Sequence, residues 1–239
     1  MGVDVIYNED CIDGIKKIDD KSIDAVITDP PFFLGVTHNG QKGEYSDLVI
    51  MKPFFSALFF EVNRVLKKSG KAYICTDWRT YPFLYPIVGE YLPVKNLLVW
   101  DKISGPGNYY AFGHELVIFC SKENCNMKGQ NIFRLRGFNS GAKRSDGEKQ
   151  HPTQKPVSLF EKFILDSTKE GDTVMDCFMG SGTLAIAAIK TKRHYIGFEV
   201  QDKYCKIAEN RINQYIGEYG KKIENFNNAT SLFSGEYNV

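Results

Sequence analysis

Ile23-Asp24-Ala25-Val26-Ile27-Thr28-Asp29-Pro30-Pro31-Phe32 is the stretch on which the fold turns. The hydrophobic run Ile23–Thr28 reads as a strand and leads straight into two consecutive prolines. Proline fixes φ and has no backbone N–H, so neither a helix nor a strand ladder can continue through the pair. The residue before each proline is also pushed into extended conformations. The chain must therefore leave the sheet in a stiff turn at the carboxyl end of the strand. In open α/β sheets that end is where ligands bind.

Outward from this stretch, short β-branched or aromatic runs alternate with longer helical patterns, the signature of crossover units on a mainly parallel sheet. Strands are predicted at Val3–Tyr7, Ile23–Thr28, Lys71–Thr76, Leu97–Trp100, Leu116–Cys120, Thr173–Asp176 and Tyr195–Phe198. Helices are predicted at Lys52–Lys67, Pro82–Tyr91, Pro156–Thr168, Gly182–Lys190 and Asp202–Tyr215. The class is α/β. Phe33–Leu48 and Lys122–Gln150 read as irregular and are longer than ordinary connections, a property of binding loops and lids.

Composition narrows the field. With 239 residues and a net charge of +1, the chain is long enough to bury a core without a metal or disulfide staple, and it carries no global basic field. Any contact with nucleic acid must then be local. Basic residues do gather between Arg134 and Lys155, where Arg134, Arg136, Lys143, Arg144, Lys149 and Lys155 interleave with glycine and serine; a solvated loop explains that equally well. The six cysteines form no CxxC pair and the N-terminus has no signal pattern, so a reducing, cytoplasmic setting is expected. Apolar runs fall far short of the ~20 residues that span a bilayer, and no membrane role is expected.

The residues after the Ile23–Thr28 strand suit an amine. An aromatic amine is a weak nucleophile because its lone pair is delocalised into the ring, and a rigid pair of acceptors would orient it. Asp29, with a reference pKa of ~3.9, and the Pro30 carbonyl supply two acceptors, while Pro31 stiffens the turn. Phe32 offers a π face on which a flipped base would stack, worth roughly 1–3 kcal/mol. A strand-ending turn with a buried aromatic would look the same.

A second constellation, Asp176-Cys177-Phe178-Met179-Gly180-Ser181-Gly182-Thr183, again lies between an apolar strand and a helix. Gly180 and Gly182 let the backbone approach a ligand, and the following helix presents free amides at its positive end. That suits a nucleoside or carboxylate, although a tight strand-to-helix turn needs the same glycines. Glu199, ending the strand Tyr195–Phe198, suits the hydroxyls of a ribose. Because the glycine turn is not a full GxGxxG, adenosine joined to something other than a second nucleotide fits better than a dinucleotide. Asp10, followed by Cys11, repeats the pattern at the end of the first strand and would accept from an adenine amine, or else cap a helix over Ile12–Ile18. Lys155, in His151-Pro152-Thr153-Gln154-Lys155-Pro156, would meet a carboxylate of a ligand or of the site itself.

Taken together and in this order, these motifs resemble the permuted, β-group amino-methyltransferases of DNA, over essentially the whole chain. Asp29-Pro30-Pro31-Phe32 matches the catalytic Asp/Asn/Ser-Pro-Pro-aromatic motif, with Phe for the usual Tyr, and Phe178-Met179-Gly180-Ser181-Gly182-Thr183 matches the Phe-x-Gly-x-Gly cofactor motif. The resemblance implies a Rossmann-like class I methyltransferase fold with a circularly permuted motif order. Its seven-stranded, mostly parallel sheet would be entered at the third strand, with the first two spatial strands supplied after Thr173. It implies one catalytic domain in which residues 1–100 form the catalytic half, 101–150 a target-recognition insertion and 151–239 the cofactor half.

It also implies S-adenosyl-L-methionine as cofactor. Asp10 and Cys11 would meet its adenine and Glu199 its ribose; Lys155, Phe178, Gly180, Ser181, Gly182 and Thr183 would meet its methionine end, with Asp29 between cofactor and base. Asp176, which opens the glycine loop, is counted with them. Double-stranded DNA is the implied substrate and partner, approached through Arg134, Arg136, Lys143 and Arg144 and through Gly105-Pro106-Gly107-Asn108-Tyr109-Tyr110, with Phe33–Leu48 as a lid. A homodimer and a cognate restriction endonuclease are further partners known for such enzymes. No metal is needed, and no cysteine follows a proline, as the carbon-5 enzymes require. Asp at the first motif position points to adenine N6. Cytosine N4, an RNA or protein amide, and a catalytically silent DNA-binding relative are the alternatives.

Overall fold

The computed structural model describes residues 1–31, 37–38, 41–42, 45–103, 105, 109–124, 127, 129–135 and 154–233, the side chains of 37–48 and 218–233 excepted. Along the chain run β1 (Val5–Tyr7), α1 (Cys11–Ile15), β2 (Ile23–Thr28), β3 (Thr37–His38), β4 (Gln41–Lys42), α2 (Tyr45–Val65), β5 (Leu66–Thr76), α3 (Tyr81–Tyr91), β6 (Val94–Asp101), β7 (His114–Ser121) and β8 (Ile132–Arg134). These are followed by α4 (Val157–Ser167), β9 (Thr173–Asp176), α5 (Thr183–Lys190), β10 (His194–Phe198) and α6 (Asp202–Phe233).

β2 is buried because it lies inside the sheet and is covered on both faces. Its side chains alternate between two cores: Ile23 and Val26 pack with Phe55, Leu58 and Phe59 of α2 and Leu84 of α3, whereas Ala25 and Ile27 pack with Phe160 and Phe163 of α4 and Leu184 of α5. β5 alternates likewise, with Ala72 and Ile74 on the first face and Tyr73 and Cys75 on the second. The result is a three-layer α/β arrangement.

The main sheet has the order β1-β10-β9-β2-β5-β7-β6-β8. Pairing is parallel from β1 to β5 and between β6 and β8, and β7 runs antiparallel to both of its neighbours. The sheet is mostly parallel, as expected, but it has eight strands rather than seven. The extra strand, β8, is only three residues long and leaves no periodicity to read. It is held by Val99 N donating to Asn131 O (2.7 Å), Leu135 N to Asp101 O (3.0 Å) and the Trp100 indole to Leu135 O (2.7 Å). The strands after Thr173 also stand second and third from the β1 edge, not first and second.

Two boundaries differ for reasons that sequence conceals. α2 begins at Tyr45 rather than Lys52 and carries Pro53 inside it. The hydrogen bond lost at Pro53 would have ended on Val49, which is exposed and leaves its carbonyl within reach of water. At the other end, the expected helical tail to Lys67 is strand, because Leu66 pairs with Ile23 and the Lys67 ammonium reaches Asp24 at 2.8 Å. Phe33–Leu48 contains the short antiparallel pair β3–β4 and the start of α2. Among the described residues, no helix is long and apolar enough to cross a membrane.

Candidate active site at the carboxyl edge

Because β1, β10, β9 and β2 are parallel neighbours, the residues that follow them gather on one edge although they are scattered in sequence. Asp10 follows β1, Glu199 follows β10, Asp176 closes β9 ahead of the glycine loop, and Asp29-Pro30 follows β2.

The ends of β2 and β9 are knotted together. Buried Thr28 donates its hydroxyl to Asp176 Oδ1 (2.9 Å) and accepts from Cys177 N (3.3 Å), and the same Asp176 oxygen accepts from Phe178 N (2.9 Å). Burial pushes the Asp176 carboxyl up to about 7, against the pull of those two hydrogen bonds. Beyond it the backbone turns on Gly180 (φ +53°) and Gly182 (φ +78°), and a β-carbon at Gly182 would stand 2.9 Å from that of Ala208 on α6. Gly182 caps α5 with no side-chain hydrogen bond, so the first turn of that helix starts without a capping side chain of its own.

The neighbouring strands add acceptors. Glu199 receives Gly180 N on Oε2 (3.0 Å) and Gln201 N on Oε1 (2.8 Å), and its own N–H donates to Tyr7 O (3.1 Å), which joins β10 to β1. Asp10 caps α1, with Oδ1 accepting from Ile12 N (2.8 Å) and Asp13 N (3.3 Å). Of the two readings open for Asp10, the helix cap is therefore present; the helix it caps ends at Ile15 rather than Ile18. Cys11 is buried and its thiol is pushed up to about 12, mainly by burial. Burial likewise raises Cys75, Cys120, Cys177 and Cys205, so none of the five described cysteines is a thiolate near neutral pH. Ser181 is turned toward α6, where buried Arg211 donates to its carbonyl and, at 2.9 Å, to its hydroxyl. Thr183 donates to Lys155 O (3.4 Å), tying the glycine loop to the segment before α4.

At the centre, Asp29 Oδ2 receives the Lys155 ammonium at 2.6 Å. Burial raises the Asp29 carboxyl, and Lys155 draws it partly back. Asp29 Oδ1 is buried and has no hydrogen-bond partner among the described residues. An orphaned carboxylate oxygen of this kind costs of the order of 1–3 kcal/mol or more, and a donor from a ligand would relieve it. Lys155 thus faces the site's own carboxylate, one of the two options left open for it. Pro30 is buried and Pro31 exposed. Glu115 and Lys102, which no sequence motif marked, complete the cluster: Lys155 lies 3.2 Å from Glu115 Oε2, and Lys102 lies 3.2 Å from Glu115 Oε1. The only local hint was a carboxylate at the head of an otherwise apolar strand.

The described residues contain no group of three or more His, Cys, Asp or Glu able to hold a metal. The donor set fits an adenosyl amino acid instead. There are carboxylates at two strand ends, a helix start with amides for a carboxylate, and in the glycine turn the Phe178 ring packed against the core. Arg134 is not part of this edge; it sits on the outermost strand, β8, exposed and paired with Asp101 at 2.8 Å. Phe32, Arg136, Lys143 and Arg144 lie outside the described residues.

Residues 23–210 match the DNA methylase family of N6/N4 methyltransferases. The type II methyltransferase M.HinfI of Haemophilus influenzae is 29% identical over an alignment covering 89% of this chain and 69% of that enzyme. Among solved structures, the M1.HpyAVI–SAM complex is similar with a TM-score of 0.64 and 23% identity, covering 87% of this chain and 98% of the other. The cytosine-N4-specific PvuII DNA methyltransferase is similar with a TM-score of 0.69 and 19% identity, covering 90% of this chain and 91% of the other. Likeness at that identity establishes the fold.

Proposed function

The chain belongs to the DNA methylase family, and from that premise we propose that it is an S-adenosylmethionine-dependent, site-specific DNA methyltransferase acting on adenine N6. The observation that carries the reading is the Oδ1 of Asp29, a buried acceptor with no hydrogen-bond partner among the described residues, held at the carboxyl end of β2 while its twin is clamped by Lys155. Asp10, Glu199, Phe178 and the amides of the Gly180–Thr183 turn would hold the cofactor, which when bound supplies a methyl group activated by a sulfonium. Asp29 Oδ1 and the Pro30 carbonyl would accept the two hydrogens of the target amine. Its nitrogen lone pair would thereby be turned toward the methyl for in-line attack: the N–C bond would form as the methyl–sulfur bond breaks, the sulfur would leave as a neutral thioether, and one amine hydrogen would leave as a proton to solvent. No residue need form a covalent bond; burial keeps the five described cysteines protonated near neutral pH.

Adenine is preferred to cytosine because Asp stands at the first position of the motif. Incubating duplex DNA with the protein and cofactor, then weighing the nucleosides after digestion, tests both levels. N6-methyladenine is expected. N4-methylcytosine in its place would overturn the choice of base, and no methylated nucleoside would overturn the assignment of activity. Asp29→Ala is expected to abolish transfer while leaving the cofactor dissociation constant within about threefold, because the cofactor set lies on the neighbouring strands.

A further inference from the structure

Glu115 carries a buried charge for which the reaction so far has no use. Lys102 donates a hydrogen bond to its Oε1 at 3.2 Å, Lys155 stands 3.2 Å from its Oε2 as an ion pair without hydrogen-bond geometry, and Lys155 continues to Asp29 at 2.6 Å. Side-chain exposure is 6% for Lys155, 10% for Lys102 and 18% for Glu115, so all three charges have lost most of their water. Two carboxylates and two ammonium groups alternate, and the array is neutral as a whole. Buried ion pairs are a weak source of stability, since desolvation offsets most of the Coulombic gain. What such an array does well is hold its members in one geometry. A lone Lys155 could swing between the two oxygens of Asp29 or out toward a ligand carboxylate; with Glu115 on its other side, it is held on Oδ2.

We propose that Glu115 is a positioning residue for methyl transfer: it holds Lys155 on one oxygen of Asp29, so that the carboxylate cannot rotate and the other oxygen alone faces the target amine. The proposal rests on Asp29 being the amine acceptor. It also separates Lys155 from the cofactor, because the ammonium is already shared by two carboxylates of the chain.

Charge changes in the array should be felt at Asp29. Facing that carboxyl are Lys155 from the segment before α4, Glu115 from β7, Cys75 from β5 and Asp176 at the end of β9, with Lys102 behind Glu115. Glu115 raises the Asp29 carboxyl and Lys155 lowers it. Asp29 must be ionised to accept from the amine, so its titration sets the acid limb of the kcat profile.

In the full-length protein, Glu115→Gln is expected to lower kcat on duplex DNA by about 10²-fold, the scale of a small misplacement of a reacting group. Its acid limb should move to lower pH, because a negative neighbour of Asp29 has been removed. Lys102→Met removes a positive one and should move the limb the opposite way. In both variants the S-adenosylmethionine dissociation constant from calorimetry, with no DNA present, should stay within about twofold of the parent. A tenfold weaker cofactor in Glu115→Gln would place Lys155 at the ligand and overturn the proposal. Unshifted limbs with kcat unchanged, or variants that fail to fold, would leave Glu115 a packing element and overturn it equally. An unaltered protein that does not methylate DNA would instead remove the reading of Asp29 on which the proposal stands.

Discussion

Asp176 shows how one side chain links site geometry to pH. Its carboxyl rises from the ordinary 3.8 to about 7 because it is buried, although it accepts from Thr28 and Phe178. A raised acid pKa means that the folded protein holds the proton after the unfolded chain has released it. The Asp176 contribution to stability is therefore expected to fall as pH climbs from about 4 to about 7 and to be level above that. Asp176→Asn keeps the acceptor oxygen and removes the titration. Relative to that variant, the parent is expected to lose up to roughly 4 kcal/mol across this window, about three pH units at 1.36 kcal/mol each. Urea unfolding at half-unit steps of pH measures the difference directly, and a flat difference would show that Asp176 is ionised in the folded protein throughout. At the same scale, Asp29 was readable from its two prolines, whereas the clamp on it was not: Lys155 is 126 residues away in the chain and Glu115 belongs to a third element.

At the level of elements, the glycine turn between β9 and α5 is the most demanding piece. Gly182 has φ +78° and no room for a β-carbon beside Ala208. Gly182→Ala combines left-handed strain with a clash against α6, and is expected to cost roughly 1–3 kcal/mol in urea unfolding. It should also weaken cofactor binding, since α5 would be pushed off its start. Equal stability in the alanine variant would mean that α6 yields at no cost. Strands and helices that carry a continuous apolar run were readable here, β2 and α5 above all, because each is covered by neighbours on both sides. β8 was not, since three residues on an edge carry no period and owe their place to backbone bonds with β6. Nor was the start of α2, where a proline that reads as a beginning lies inside the helix.

For the molecule as a whole, a net charge of +1 means that DNA must be met by local groups rather than by an overall field. Arg134 is exposed on β8 and its partner Asp101 is also at the surface, where the Ile103 amide and then Arg134 hold that carboxyl below its usual range. Exposed pairs of this kind contribute little to folding. Arg134→Ala should leave unfolding free energy within about 0.5 kcal/mol. If Arg134 meets phosphate, the same variant should bind all duplexes more weakly and lower the salt slope of binding by about 1. Affinity and slope both unchanged would place the DNA elsewhere on the surface.

The sequence by itself determined the α/β class, the order of the motifs and the two turns that leave the sheet, because proline and glycine act on the backbone within a few residues of where they stand. Only the tertiary structure decided which distant charges meet. Parallel pairing sets Asp10, Glu199, the glycine loop and Asp29 along one edge, and the fold brings Lys155, Glu115 and Lys102 in behind them. Those contacts depend on strand order and register, which no local pattern encodes.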